Sequence, residues 1–161
     1  YQGSYAGALG LPQFLPSSVR NYAVDFDGDG RIDLLNSPKD AIGSVARYLQ
    51  MHGWESGAPV AVRASVGGDA NLVPLLANDI NPAFDAATLA SHGVRAASGE
   101  TPAGKAAFVE LVTPGDDSEY WLGYQNFYVI TRYNRSSFYA MSVFQLGEAI
   151  KAAREAAMAR R

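Results

Sequence analysis

The chain has no cysteine and only two histidines in 161 residues. Disulfide staples and thiolate chemistry are therefore excluded. His52 and His92 lack metal-ligand spacing and read as surface residues. Positive charge is scarce too, with 13 Lys and Arg against 16 Asp and Glu and a net charge of −3. With no basic run, a nucleic-acid partner is not expected. No stretch of about 18 apolar residues exists, so nothing is expected to span a membrane. A signal peptide is missing as well. The chain opens without Met, inside a Gly/Ser/Tyr-rich segment, and is read as a fragment or processed product. Missing targeting signals are then uninformative. What is present, 48% hydrophobic and 18% charged residues, suits one globular domain with room for a small insert.

The stretch from Gly3 to Asp33 carries the most information. Asp25, Asp27 and Asp29 alternate and Gly30 follows. Calcium takes six to eight oxygens at roughly 2.3–2.6 Å, and alternating carboxylates on a tightly turned chain point at one centre. Gly30 stands where such a loop turns sharply, Arg31 offers its backbone carbonyl, and Ile32 stands where the loop packs an apolar residue. The twelfth position departs from the pattern, because it holds Asn36 and not a bidentate Glu. Asp40, at the start of a helix, is the next carboxylate able to close a longer loop. A solvated Asp/Gly turn is the plain alternative. Three carboxylates this close repel one another without a cation, which favours a calcium site of Asp25, Asp27, Asp29, Arg31 and Asp40.

Pro16 to Ser18 reads as a helix start, with Val19, Tyr22 and Ala23 at helical spacing. Ser37 and Pro38 predict the cap and first turn of a second helix, with Ile42, Val45, Ala46 and Leu49 as its apolar stripe and Gly53 as its end. From residue 57 to about 123 the texture changes to alternating short strands (60–66, 107–112, 120–124) and short helices (72–78, 85–92). Helix returns over 124–133 and again from Ser137 to Arg160, with Met141, Phe144, Leu146 and Ile150 apolar. The predicted fold class is mainly α (α+β). Its segments are 1–56, an inserted α+β subdomain over 57–123, and 124–161.

The run Ser4-Tyr5-Ala6-Gly7-Ala8-Leu9-Gly10-Leu11-Pro12-Gln13-Phe14-Leu15-Pro16-Ser17-Ser18 closely resembles the Gly-rich motif of the lytic murein transglycosylase B family. Three further segments match in that family's order: Ala23 to Leu34; Asp40 to Tyr48 with His52-Gly53-Trp54; and Val129 to Ser136, continuing into Tyr139-Ala140-Met141 and Gln145-Leu146-Gly147. The matches cover most of 3–56 and 124–150, while 57–123 matches only in position and texture.

The resemblance implies a lysozyme-like helical core carrying the calcium loop and the insert. It also implies a peptidoglycan lytic transglycosylase. A glutamic acid protonates the oxygen between N-acetylmuramic acid and N-acetylglucosamine. The same carboxylate then acts as base while the C6 hydroxyl closes a 1,6-anhydro ring, which departs from two-carboxylate hydrolysis. In the family that glutamate lies upstream of the Gly-rich motif. None of Glu55, Glu100, Glu110, Glu119, Glu148 or Glu155 sits in a matching motif, so no catalytic residue is expected in this chain.

The resemblance also implies that Ser4, Gln13, Tyr48, Tyr133, Asn134 and Tyr139 contact the glycan. Gln13 offers a donor and an acceptor to acetamido groups, and tyrosines pack on sugar C–H faces while bonding through the hydroxyl. Each has a plainer reading: a turn serine, a structural amide, core tyrosines, a capping Asn134. Tyr120, Trp121 and Tyr124 read equally as an outer subsite or as insert packing. Expected partners are peptidoglycan glycan strands and an N-terminal segment of the same enzyme. The implied place is the periplasm, with a soluble form and an outer-membrane lipoprotein both open. The competing reading is a non-catalytic, calcium-dependent murein-binding or dockerin-like module. Dockerins duplicate their loop, and here there is one.

Overall fold

The structure, a computed structural model, describes residues 4–100 and 104–160. Gly3, the first residue of the Gly3–Asp33 stretch, lies outside them. The chain is mixed, with helices and one small sheet, and it divides into two compact units, Tyr1–Trp54 and Glu55–Arg161.

The first unit holds two helices, α1 (Pro16–Tyr22) and α2 (Pro38–Met51), with an isolated bridge between Leu9 and Phe14. Helix α2 starts as the sequence predicts. Pro38 takes the first turn, and Ser37 accepts from the Asp40 amide at 3.2 Å. Its buried face is not the predicted one. Ile42 is 67% exposed and Ala46 is exposed, whereas Asp40, Ala41, Gly43, Ser44 and Tyr48 are buried. The burial follows small and polar residues because the preceding loop lies on that face and its amides need acceptors: Val24 N–H donates to Ser44 Oγ at 3.0 Å.

The core of the first unit is aromatic. Phe14, 2% exposed, meets Tyr22 edge-on with ring centroids 6.4 Å apart, and Tyr22 meets Tyr48 at 4.8 Å. His52 stacks on Tyr48 at 4.0 Å, and its Nδ1 lies 2.7 Å from the Tyr48 carbonyl oxygen. It is half-buried, and not the free surface residue expected.

The second unit is built on an antiparallel sheet of order β2-β1-β4-β3, from β1 (Ala61–Val66), β2 (Val94–Ala96), β3 (Ala107–Leu111) and β4 (Glu119–Gly123). Short helices α3 (Val73–Leu76) and α4 (Ala86–Ser91) lie between β1 and β2 in sequence. Val62, Ala64 and Val66 alternate onto a core of Leu75, Leu89, Val94, Phe108 and Leu122. The sequence does not reveal strand β2, because its three residues are too few to show a period. Helices α5 (Gln125–Tyr133) and α6 (Ser137–Ala159) complete the unit. Asn126, fully buried, accepts from Glu55 N–H at 2.8 Å and donates to the carbonyls of Glu55 (2.8 Å) and Ala58 (3.0 Å). One amide thus fixes the loop that enters the sheet. On α6 only Ala140 and Met141 are buried, while Leu146 and Ile150 are exposed.

Candidate functional site

The loop after α1 is organised by its own carboxylates. Asp25 Oδ1 accepts from Gly28 N–H (2.7 Å) and Asp29 N–H (3.2 Å), and its Oδ2 accepts from Gly30 N–H (2.8 Å). Asp29 accepts from Arg31 N–H at 2.9 Å. Gly28 and Gly30 take positive φ of 74° and 87°, which glycine adopts without steric cost. The chain therefore curls around one centre, and carboxylate oxygens of Asp25, Asp27 and Asp29 lie within 4.8 Å of one another. Among the described residues no other set of three such side chains converges. Three hard oxygen donors on a preformed loop fit a calcium ion in charge and ligand type.

Asp40 stands outside that group of three. It is 1% exposed, and its carboxylate accepts from Phe26 N–H (2.9 Å, Oδ1) and Asp33 N–H (2.8 Å, Oδ2). The amides of Asp33 and then Phe26 hold the Asp40 carboxyl below the ordinary carboxylate range. Asp40 thus clasps the first and last parts of the loop. Asp33 makes a separate turn, accepting from Leu35 and Asn36.

The Gly-rich segment ends in a tight turn. Gln13 adopts φ 51°, one of two non-glycine positive values among the described residues. Its backbone N–H and its Nε2 both donate to Gly10 O, at 3.1 and 2.8 Å. The side chain is exposed, so its carbonyl oxygen faces solvent as an acceptor. Ser4 is also exposed, and its Oγ accepts from Ala8 N–H at 3.1 Å. Tyr48 is 8% exposed, its ring held in the aromatic core.

In the second unit, Tyr133 ends α5 and Tyr139 lies in the first turn of α6. Their rings are near parallel, 12° apart in plane with centroids 6.5 Å apart. Ser136 caps α6 by accepting from Tyr139 N–H at 3.2 Å, and burial raises the Tyr139 phenol above its ordinary value. Asn134 is exposed and extended, and its carboxamide has no hydrogen-bond partner among the described residues. Arg135 pairs with Asp79 at 2.7 Å, a contact the sequence does not reveal because 56 residues separate the partners.

The cluster Tyr120, Trp121 and Tyr124 is not one surface. Tyr120 stacks on Phe108 at 5.4 Å and Tyr124 is buried, both against the core. Trp121 points to the other face, under the Arg63 guanidinium at 5.1 Å, with Nε1–H donating to Glu119 at 3.2 Å.

Comparison with known proteins adds the following. The family described as "Transglycosylase SLT domain" matches residues 1–148. The chain is 46% identical over 155 residues to membrane-bound lytic murein transglycosylase B of Escherichia coli (strain K12), covering 95% of this chain and 40% of that protein. Soluble lytic transglycosylase SltB1 from Pseudomonas aeruginosa superposes with a TM-score of 0.83 at 47% identity, over 96% of this chain and 50% of that one. The Escherichia coli lytic transglycosylase Slt35 in complex with calcium gives a TM-score of 0.80 at 45% identity, over 96% and 47%. The chain spans half or less of the length of these relatives.

Proposed function

This chain belongs to the transglycosylase SLT domain family, and on that premise we propose that it is part of a peptidoglycan lytic transglycosylase. The enzyme cleaves the β-1,4 bond between N-acetylmuramic acid and N-acetylglucosamine and leaves a 1,6-anhydro product. The observation that carries this reading is the match over residues 1–148, with 46% identity to a lytic murein transglycosylase over nearly the whole chain.

The chain's own residues bind and orient the glycan. Gln13 presents its side-chain oxygen to an acetamido N–H or a sugar hydroxyl, supported by the bond that fixes its nitrogen on Gly10. Ser4 keeps its hydroxyl proton to donate, since its oxygen is engaged by Ala8. Tyr133 and Tyr139 offer parallel rings to sugar faces, Asn134 offers an exposed carboxamide, and Tyr48 contributes only the edge that its packing leaves exposed.

The proton donor is a glutamate outside residues 1–161. A general acid at neutral pH needs a raised pKa. Glu119, by contrast, is held below its ordinary value by Arg63 and Trp121. No glutamate of this chain stands in a matched motif.

A calcium ion would be held by Asp25, Asp27, Asp29, the Arg31 carbonyl and Asp40; the convergence of Asp25, Asp27 and Asp29 and a calcium complex of a 45% identical relative support this. Its chemistry is structural: it neutralises the loop's charge. In this reading residues 57–123 are the small α+β insert of the family's lysozyme-like fold. The partners are murein glycan strands and the segment of the enzyme that bears the acid. The place of action is the periplasm, free or lipid-anchored. The test is digestion of purified murein by the full-length protein. Anhydro ends without new reducing ends support the reading. Binding without cleavage would make this a murein-binding module instead.

A further inference from the structure

The metal loop and the Gln13 turn meet at one strap. Leu11 N–H donates to Leu34 O at 2.8 Å. The contact requires the glycine before it, because a Cβ on Gly10 would lie 2.3 Å from that same oxygen. Leu34 is itself buried and follows Asp33, whose N–H is clasped by Asp40. On the other side of the strap, Gly10 O receives both the backbone and the side-chain N–H of Gln13. A short chain of contacts therefore runs from the carboxylate loop through Asp40, Asp33, Leu34 and Gly10 to the Gln13 amide. Every link is a hydrogen bond, a peptide bond or a backbone contact too close to admit a side chain. Such links transmit a shift of a few tenths of an ångström instead of absorbing it.

We propose that Gly10 and Leu34 are positioning residues that couple calcium in the loop to glycan held by Gln13, so that calcium tightens glycan binding and glycan tightens calcium binding by the same factor. The inference rests on the glycan reading given above. Gln13 sits at φ 51°, a conformation that persists only where the surroundings over-determine it. The strap supplies that determination. With the loop's charge uncompensated, repulsion among Asp25, Asp27 and Asp29 acts on the same segment that carries Leu34.

The test measures binding of triacetylchitotriose to the full-length protein by titration calorimetry, in saturating calcium and in chelator. The expected result is affinity higher in calcium by roughly 5–150-fold, the usual range for coupled sites, with the same factor in calcium affinity when the sugar is present. Gly10→Asn should abolish the coupling, because Asn tolerates positive φ but its Cβ meets Leu34 O. Gly7→Asn is the control, since Gly7 also has positive φ (77°) and its nearest neighbour is Pro16 at 3.9 Å. Equal sugar affinity with and without calcium in the wild type overturns the coupling. Failure of the sugar to bind in either condition overturns the glycan reading itself, and this inference with it.

Discussion

The ring of Phe26 occupies the space that a side chain at residue 43 would need: a Cβ on Gly43 would lie 2.4 Å from Phe26 Cγ. The second residue of the carboxylate loop is thereby packed on helix α2, while its amide is held by Asp40. Gly43→Ala is a clean probe of this contact. Helix propensity alone favours alanine by about 1 kcal/mol. Overpacking costs about 1–3 kcal/mol. The expected outcome is net destabilisation together with weaker calcium binding, read from denaturant midpoints and a calcium titration. A more stable variant would show that Phe26 moves aside freely.

Calcium should raise the melting temperature. An ion that binds only the folded loop contributes about 2.7 kcal/mol at a hundred times its Kd. For a chain of this size that corresponds to about 5–10 °C. Calorimetric scans in calcium and in chelator give the number, and coincident melts would remove the ion from the account.

Two substitutions at residue 13 separate its strain from its contact. Gln13→Gly relieves the left-handed backbone and should leave stability within about 1 kcal/mol of the wild type. Both Gln13→Gly and Gln13→Ala lose the amide. Each should lower murein turnover by the value of a neutral hydrogen bond, about 0.5–1.5 kcal/mol or roughly 2–12-fold. Steady-state turnover by the full-length variants decides it; unchanged rates would exclude Gln13 from the glycan site.

The pH dependence follows from Asp40. Its folded pKa lies below the ordinary value of 3.8, because the amides of Asp33 and Phe26 favour the charged form. The stabilisation is complete above the unfolded value and is lost as pH falls through the folded one. In chelator, the denaturant midpoint should therefore drop between pH 5 and pH 2 in the wild type. Asp40→Asn should be weaker already at pH 5 and should drop less. Parallel curves would contradict this role for Asp40.

Ser136→Ala removes the cap that fixes the start of α6 beside Tyr139. A loss of about 1 kcal/mol is expected, with lower turnover because Tyr139 then loses its fixed place facing Tyr133. Chemical denaturation and murein assays report the two effects separately.

The carboxylate loop was legible because its geometry is local: alternating carboxylates and glycines at fixed offsets set both the turn and its acceptors. The cap at Ser37 was legible for the same reason. The buried face of α2 was not, because burial there answers to the amides of a loop up to 20 residues away and not to hydrophobicity. The strain at Gln13 carries no signal in composition, since glutamine is not a residue that marks positive φ. Arg135–Asp79 and the Asn126 network join distant segments. The residues proposed to contact glycan are legible only through resemblance, because neither the Gly10–Gln13 bond nor the pairing of the Tyr133 and Tyr139 rings leaves a mark in composition or spacing.

The most direct measurement compares two digests of the same purified murein, one by the full-length protein and one by residues 1–161 alone, with the products resolved by mass spectrometry. The account predicts 1,6-anhydromuropeptides, lighter by one water than hydrolytic products, from the full-length protein and none from residues 1–161. Anhydro products from residues 1–161 alone would contradict it by placing the acid inside this chain, with Glu55 the first residue to replace.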